Sequence, residues 1–393
     1  MKTSRLLVAA CATAPLLCLS TALATAAPTP MTSTGTQRIA GADRYATSAA
    51  VSAKSFTSPQ GAVFVASGQN FPDALAGGAA AAKQVGPLLL TSSSRLSGAT
   101  SNELKRLRPS KIYILGGTGA VSGATAVALN GIAPTQRIGG ADRYATAANT
   151  SKAIFTSAST VYIASGLGFA DALAGGPAAA KQAAPMLLTS ATSLPAATRA
   201  ELTRLQPTAV KILGGNGAVS SRVQSQIQAA VPSARITRYS GADRYATAAS
   251  VAKAVWPNGS RTVFYASGTS FPDGLSATPS AAVNKAPLLL TSKSCMPSPT
   301  ASASASLSPS LRVFVGGTGV VTTSGTGCGS TPVAPTPPPP PPTPPSVDYD
   351  CGDFSTWPEA QAVFDRYYPA YGDVFRLDRD GDLIACEDLP GAP

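Results

Sequence analysis

The chain has 393 residues, 30 Lys and Arg against 19 Asp and Glu, a formal balance of +11, and only 12% charged residues. That is about half the charge of an ordinary globular protein, and it excludes a highly charged disordered chain. Histidine is absent, which excludes Ser-His-Asp and Cys-His catalysis and His-ligated catalytic zinc.

The first 26 residues read as a secretory signal. Lys2 and Arg5 precede an apolar run from Leu6 to Leu23, and Ala24-Thr25-Ala26 is a small-residue cleavage site. The mature chain is expected to be secreted. No later segment reaches the roughly 18 continuous apolar residues of a membrane span.

After the signal the chain repeats itself. Gly41-Ala42-Asp43-Arg44-Tyr45-Ala46-Thr47 returns at 140–146 and 241–247, and Ala-Ser-Gly follows at 66–68, 164–166 and 266–268. Asp73, Asp171 and Asp273 come next, then Pro-Leu/Met-Leu-Leu-Thr-Ser at 87–92, 185–190 and 287–292, and Gly-Gly-x-Gly at 116–119, 214–217 and 316–319. Solenoid repeats run about 20–50 residues, so a period of about 100 means three tandem domains. They are placed at 37–134, 135–233 and 234–329.

Within a repeat, Val63–Ala66, Leu88–Thr91 and Lys111–Leu115 are short apolar runs of the kind that form doubly buried parallel strands. Ala46, Ala49, Ala50 and Ala53 fall on one helical face, and further helices are expected over 73–85 and 100–106. Alternating strands and helices predict a three-layer α/β domain. The third repeat departs from the pattern, with Ala and Ser alternating over 301–306 between Pro299 and Pro309 where the others carry Glu103 to Leu107 and Glu201 to Leu205.

Residues 330–346 hold ten prolines and read as a polyproline-II spacer of roughly 50 Å. Residues 347–393 form a last domain too small to be comfortable without a staple or a metal. Cys295, Cys328, Cys351 and Cys386 remain after signal removal. The proline tract separates them into the expected pairs Cys295–Cys328 and Cys351–Cys386, each closing a loop of about 35 residues worth roughly 3–4 kcal/mol in the chain-entropy model.

The charge is partitioned as sharply as the domains. Residues 347–393 carry eleven acids and three bases, whereas the chain between signal and spacer carries 25 bases and eight acids. A net +17 there favours an anionic partner. Nucleic acid is set aside, because the aromatic-basic interleaving and the motifs of its binders are missing.

Six of the eight acids fall into two three-fold sets. Asp43 and its equivalents suit helix N-caps. Arg44, Arg143 and Arg244 then stand in a first helical turn, where a cation opposes the macrodipole unless it meets an anion. That anion is either a carboxylate of the adjacent repeat or an external ligand. Ser67, Ser165 and Ser267 lie at strand C-terminal ends, where open α/β sheets bind ligands, and the alternative is turn capping. The Gly-Gly-x-Gly segment is either a tight turn or an anion-binding nest. In the tail, Asp378, Asp380 and Asp382 alternate on a turning loop and Glu387 follows, an oxygen-donor set suited to Ca²⁺. Trp357, Ala360, Phe364 and Tyr367 are expected to pack the small core.

These blocks resemble the type 2 cell-wall-binding repeats of Gram-positive bacteria. The resemblance implies three Toprim- or Rossmann-like modules associating as a pseudo-trimer within one chain, and non-covalent binding of an anionic secondary cell-wall polymer, teichoic-acid-like or an acidic glycan. Arg44, Arg143, Arg244, the three serines and Asp73, Asp171 and Asp273 are its candidate contacts. The tail is similar to the Excalibur calcium-binding domain from Asp378 to Glu387, with Leu383 in place of a glycine. A secreted, non-catalytic, calcium-binding wall protein is the expected function. A wall-remodelling hydrolase, or an accessory to one, and a calcium-dependent adhesin are the alternatives.

Overall fold

The structure is a computed structural model that describes residues 26–323, 328, 349–357, 359–364, 376–377 and 385–391. The signal residues 1–25, the proline spacer, Tyr367 and the loop with Asp378, Asp380 and Asp382 lie outside the described residues. The chain forms two units, 1–328 and 329–393.

In the first unit the apolar runs form strands β2 (Ala62–Ser67), β3 (Leu88–Thr91) and β4 (Lys111–Leu115), then β6 (Thr160–Ser165), β7 (Met186–Thr189) and β8 (Ala209–Leu213), then β10 (Thr262–Ser267), β11 (Leu288–Thr291) and β12 (Leu311–Val315). Each repeat also begins with a strand that the apolar pattern does not mark: β1 (Gly35–Ile39), β5 (Thr135–Ile138) and β9 (Arg235–Tyr239). All pairings are parallel.

The three sheets have the orders β3-β2-β4-β5, β7-β6-β8-β9 and β1-β12-β10-β11. The first strand of repeats 2 and 3 thus completes the sheet of the repeat before it. β1 completes the last sheet, with Gly35 opposite Leu311 and Ile39 opposite Val315. The sheets run out of step with the sequence repeat, and the exchange closes a ring.

Helices cover both faces of each sheet. They are α1 (Arg44–Ser55), α2 (Pro72–Lys83), α3 (Gly98–Leu107) and α4 (Gly123–Asn130), then α5 (Arg143–Ile154), α6 (Ala170–Lys181), α7 (Ala196–Leu205) and α8 (Ser221–Ala230), then α9 (Arg244–Val255), α10 (Pro272–Val283) and α11 (Ser298–Leu307). In repeats 1 and 2 alternate strand residues divide between two cores, as the pleat directs. Val63 and Val65 face a cluster with Leu104, Leu107 and Leu129, while Phe64 and Ala66 face a central core built from all three repeats.

The helices α2, α6 and α10 pack against one another at the middle of the ring, and their small residues make that approach possible. A Cβ on Gly78 would stand 2.9 Å from Thr278 Cγ2, and one on Gly176 would stand 2.7 Å from Thr278 Oγ1. There is room at the centre for one side chain, and repeat 3 supplies it. Phe71, Phe169 and Phe271 precede the three helices and form a triangle with centroids 5.7, 5.7 and 5.8 Å apart.

The weak helix former of repeat 3 is helical as α11, with Pro299 in its first turn, where no intrahelical donor is lost. Both expected disulfides are present, with Cα separations of 4.9 Å for Cys295–Cys328 and 5.5 Å for Cys351–Cys386. In the second unit Ala360, Phe364, Leu377, Ala385 and Cys386 form a buried cluster. Trp357 is half-buried.

Candidate functional site

The three copies of Gly-Ala-Asp-Arg build three related junctions between repeats. Asp43 caps α1, its Oδ1 accepting from the N–H groups of Tyr45 (2.9 Å) and Ala46 (2.7 Å). Asp142 and Asp243 accept from Ala145 and Ala246 at 2.7 Å. The caps leave the following arginines in the first helical turn, and each is held by a carbonyl at the Ala-Ser-Gly turn of its own repeat. Arg44 donates to Gly68 O at 2.6 Å, Arg143 to Gly166 O at 2.7 Å and Arg244 to Gly268 O at 2.6 Å. Arg44 and Arg244 also lie over the rings of Phe271 and Phe169, 6.0 and 5.9 Å from their centroids.

Each arginine faces the aspartate of the preceding repeat. Arg143 acts on Asp73, Arg244 on Asp171 and, across the ring closure, Arg44 on Asp273. These are through-space attractions. Among the described residues the ion pairs are Glu103–Arg106 and Glu201–Arg204, each with a closest approach of 2.6 Å. Burial pushes all three aspartates above the ordinary carboxylate range. Hydroxyls of Thr146 and Thr247 oppose that rise at Asp73 and Asp171. At Asp273 the opposing influence is Arg44 alone, and its pKa is pushed up to about 6.

The Gly-Gly-x-Gly loop forms the wall behind each aspartate. Its first glycine has φ of +94° at Gly116, +97° at Gly214 and +115° at Gly316, the left-handed region that glycine alone enters freely. A Cβ there would also meet Oδ2 of Asp73, Asp171 or Asp273 at 2.2–2.4 Å. The loop carbonyls are gathered by an arginine from the next repeat's first strand. Arg137 donates to Gly116, Gly117 and Val121, Arg238 to Gly214 and Val219, and Arg38 to Gly316 and Val321, at 2.6–3.0 Å. Sequence reasoning missed this set. Its signal is an Arg two residues before a small residue and Gly (Ala40-Gly41, Gly139-Gly140, Ser240-Gly241) in all three repeats, legible only once the strand exchange is known.

Two clefts result from these walls. One, of about 700 Å³, is lined by Asp171, the Gly215–Gly217 turn and Gly241 to Arg244. The other, of about 230 Å³, is lined by Asp273, Gly317 and Gly41 to Arg44. The structure therefore brings together the candidate arginines and aspartates, each pair drawn from two repeats. Ser165 lines the larger cleft, while Ser67, Ser165 and Ser267 are all buried and accept from the N–H groups of Gln69, Leu167 and Thr269 at 3.2 Å. That is the turn-capping alternative. For the macrodipole question, the arginine's partner in contact is a carbonyl, and its anion lies across the cleft.

All eight acids of the repeats are thus in use. Three cap helices, three face an arginine across a repeat junction, and Glu103 and Glu201 pair beneath Arg106 and Arg204. The excess of bases stays uncompensated there. For the tail, Cys386 N–H donates to Leu377 O at 2.8 Å, which joins the two flanks of the acidic segment.

A protein-family model described as Cell wall binding domain 2 (CWB2) matches the chain three times, at residues 38–126, 137–224 and 238–325. The chain is similar to N-acetylmuramoyl-L-alanine amidase LytC of Bacillus subtilis (strain 168), 34% identical over 266 residues, which are 67% of this chain and 52% of that protein. It is also similar to an amidase enhancer of the same organism, 29% identical over 263 residues, 67% of this chain and 36% of that one. The chain thus spans about half or less of these relatives. Among solved structures, Cwp6 from Clostridium difficile matches with a TM-score of 0.68 and 29% identity, covering 74% of this chain and 46% of that one. Cwp8 from the same organism matches in fold, with a TM-score of 0.66 and 24% identity over 72% of this chain and 50% of its own. No described helix is long and apolar enough to cross a membrane.

Proposed function

Because the chain belongs to the cell wall binding domain 2 family, its matched repeats covering 38–126, 137–224 and 238–325, we propose that it is a secreted, non-catalytic wall protein. Its three repeats hold an anionic secondary polymer of the wall, and its tail domain binds calcium. The observation that carries the reading is the repeated meeting of an arginine, a half-buried or buried aspartate and a glycine loop at repeat junctions, on a unit whose acids are all engaged internally. Phosphate or carboxylate groups of a polymer would meet the arginines and the surrounding field of bases. Full-length protein should sediment with anionic-polymer-bearing walls and be released by about 1 M salt, which shortens the screening length to about 3 Å. Equal retention on walls stripped of that polymer would overturn it.

Asp378, Asp380, Asp382 and Glu387 are the proposed calcium ligands, a hard-oxygen set at alternate positions. The Cys351–Cys386 disulfide and the Cys386–Leu377 hydrogen bond at the loop's flanks support it. Calorimetry on the full chain should show calcium binding that Asp380→Ala abolishes, and unchanged binding would refute the assignment.

The names of the amidase relatives favour one second reading, an accessory to a wall hydrolase. Faster release of labelled peptidoglycan by an amidase in the presence of this protein would support it.

A further inference from the structure

The three junctions share their arginine and aspartate, but they differ in the residue that follows Ala-Ser-Gly and in the residue it faces beyond the Leu-Thr-Ser strand end. In repeat 1, Gln69 reaches across and accepts from Ser93 N–H at 2.9 Å and from Ser93 Oγ–H at 2.6 Å. In repeat 3, Thr269 turns back to Ser267, their hydroxyls 3.1 Å apart, and the corresponding position is Lys293. In repeat 2 the pair is Leu167 and Ala191, which have no polar group to bridge with. Leu167 is left 63% exposed, and the cleft opens into the space between the two, so that Leu167, Gly168 and Ala191 line the same hollow as Asp171 and Arg244. The cleft of Asp273 stops short of Thr269 and Lys293 and has about 230 Å³ against about 700 Å³.

We propose that the junction of repeats 2 and 3 selects the ligand, taking an anionic sugar that carries an acetamido group, with its methyl against Leu167 and Ala191 and its phosphate toward Arg244. This rests on the polymer-binding reading above and deepens it. A large exposed leucine costs solvation when nothing covers it, and here it lines a cleft that also presents the Arg244 cation together with the carboxylates of Asp171 and Asp243. An acetamido group matches that pairing, since its methyl is apolar while its amide N–H can donate to an acceptor such as the Asp171 carboxylate. A plain hexose phosphate offers the anion without the methyl.

The test titrates full-length protein, labelled in its leucine and alanine methyls, with N-acetylglucosamine 1-phosphate and with glucose 1-phosphate. The acetylated sugar should bind about fourfold tighter, what burial of one methyl supplies, and should shift the Leu167 and Ala191 resonances. In L167Q/A191S, which installs the Gln69–Ser93 bridge, that preference should vanish. Equal affinity for the two sugars, or no shift at Leu167, overturns the inference. Retention on walls is measured alongside: retained protein without the preference sinks this inference alone, whereas loss of salt-sensitive retention sinks the polymer reading.

Discussion

The carboxylate of Asp273 lies directly over Gly316, so that a Cβ on that glycine would meet its Oδ2 at 2.4 Å. Gly316 also has φ +115°. Gly316→Ala therefore suffers twice, from a backbone conformation costing about 1–3 kcal/mol and from displacement of the carboxylate. Thermal unfolding should show a lowered midpoint, whereas Gly319→Ala, where a Cβ meets nothing within 4 Å, should be near neutral.

Asp273 also sets a pH dependence. Its folded pKa of about 6 lies above the unfolded value near 3.9, so folding takes up a proton between those values. The stability this group contributes is complete below about pH 4 and lost as the pH rises through 6, by at most about 3 kcal/mol. Asp273→Asn should flatten this part of the stability profile and raise the denaturation midpoint at pH 8. A variant less stable than wild type at pH 8 would contradict the account.

Arg137 ties three carbonyls of the first glycine loop at 2.8–3.0 Å. Arg137→Lys keeps the charge but loses the planar fork, and should speed hydrogen exchange across residues 117–121. If exchange there matches wild type, the loop does not depend on the clamp.

Thr278 fills the centre of the ring for all three repeats. Gly78→Ala alone should destabilise by about 1–3 kcal/mol through overpacking, because its Cβ falls 2.9 Å from Thr278 Cγ2. Combined with Thr278→Gly, the added methyl should cost less than it does alone. A double-mutant cycle with no coupling would show that the two positions do not share the space.

Much of the fold is written in short stretches of sequence. Val63–Ala66 and Leu88–Thr91 are strands because continuous apolar residues suit burial on both faces. Asp43 before an alanine-rich run is a cap because its short carboxylate reaches the orphan N–H groups. The repeat placed the arginines and aspartates in matching sets. It left β1, β5 and β9 unmarked, because Thr-Gln-Arg-Ile in β1 and β5 has a single apolar residue after three polar ones and Arg-Ile-Thr-Arg-Tyr in β9 is mostly polar, and it left α4 and α8 unmarked.

The sequence by itself determined the three-fold repeat, its alternating strands and helices, the cysteine pairing and the separation of a basic region from an acidic tail, since each follows from local burial, capping or composition. The tertiary structure decided where charge meets charge. Arg44 and Asp273 face each other only because β1 crosses the chain to pair with β12, and no local pattern records which sheet edge a strand will choose. It also showed that the excess of bases stands uncompensated because each of the repeats' eight acids is already engaged in a cap, a repeat junction or an ion pair. The junctions are unequal because the single side chain at the centre and the residues at 69, 167 and 269 differ, and packing turns those small differences into one open cleft and one narrow one.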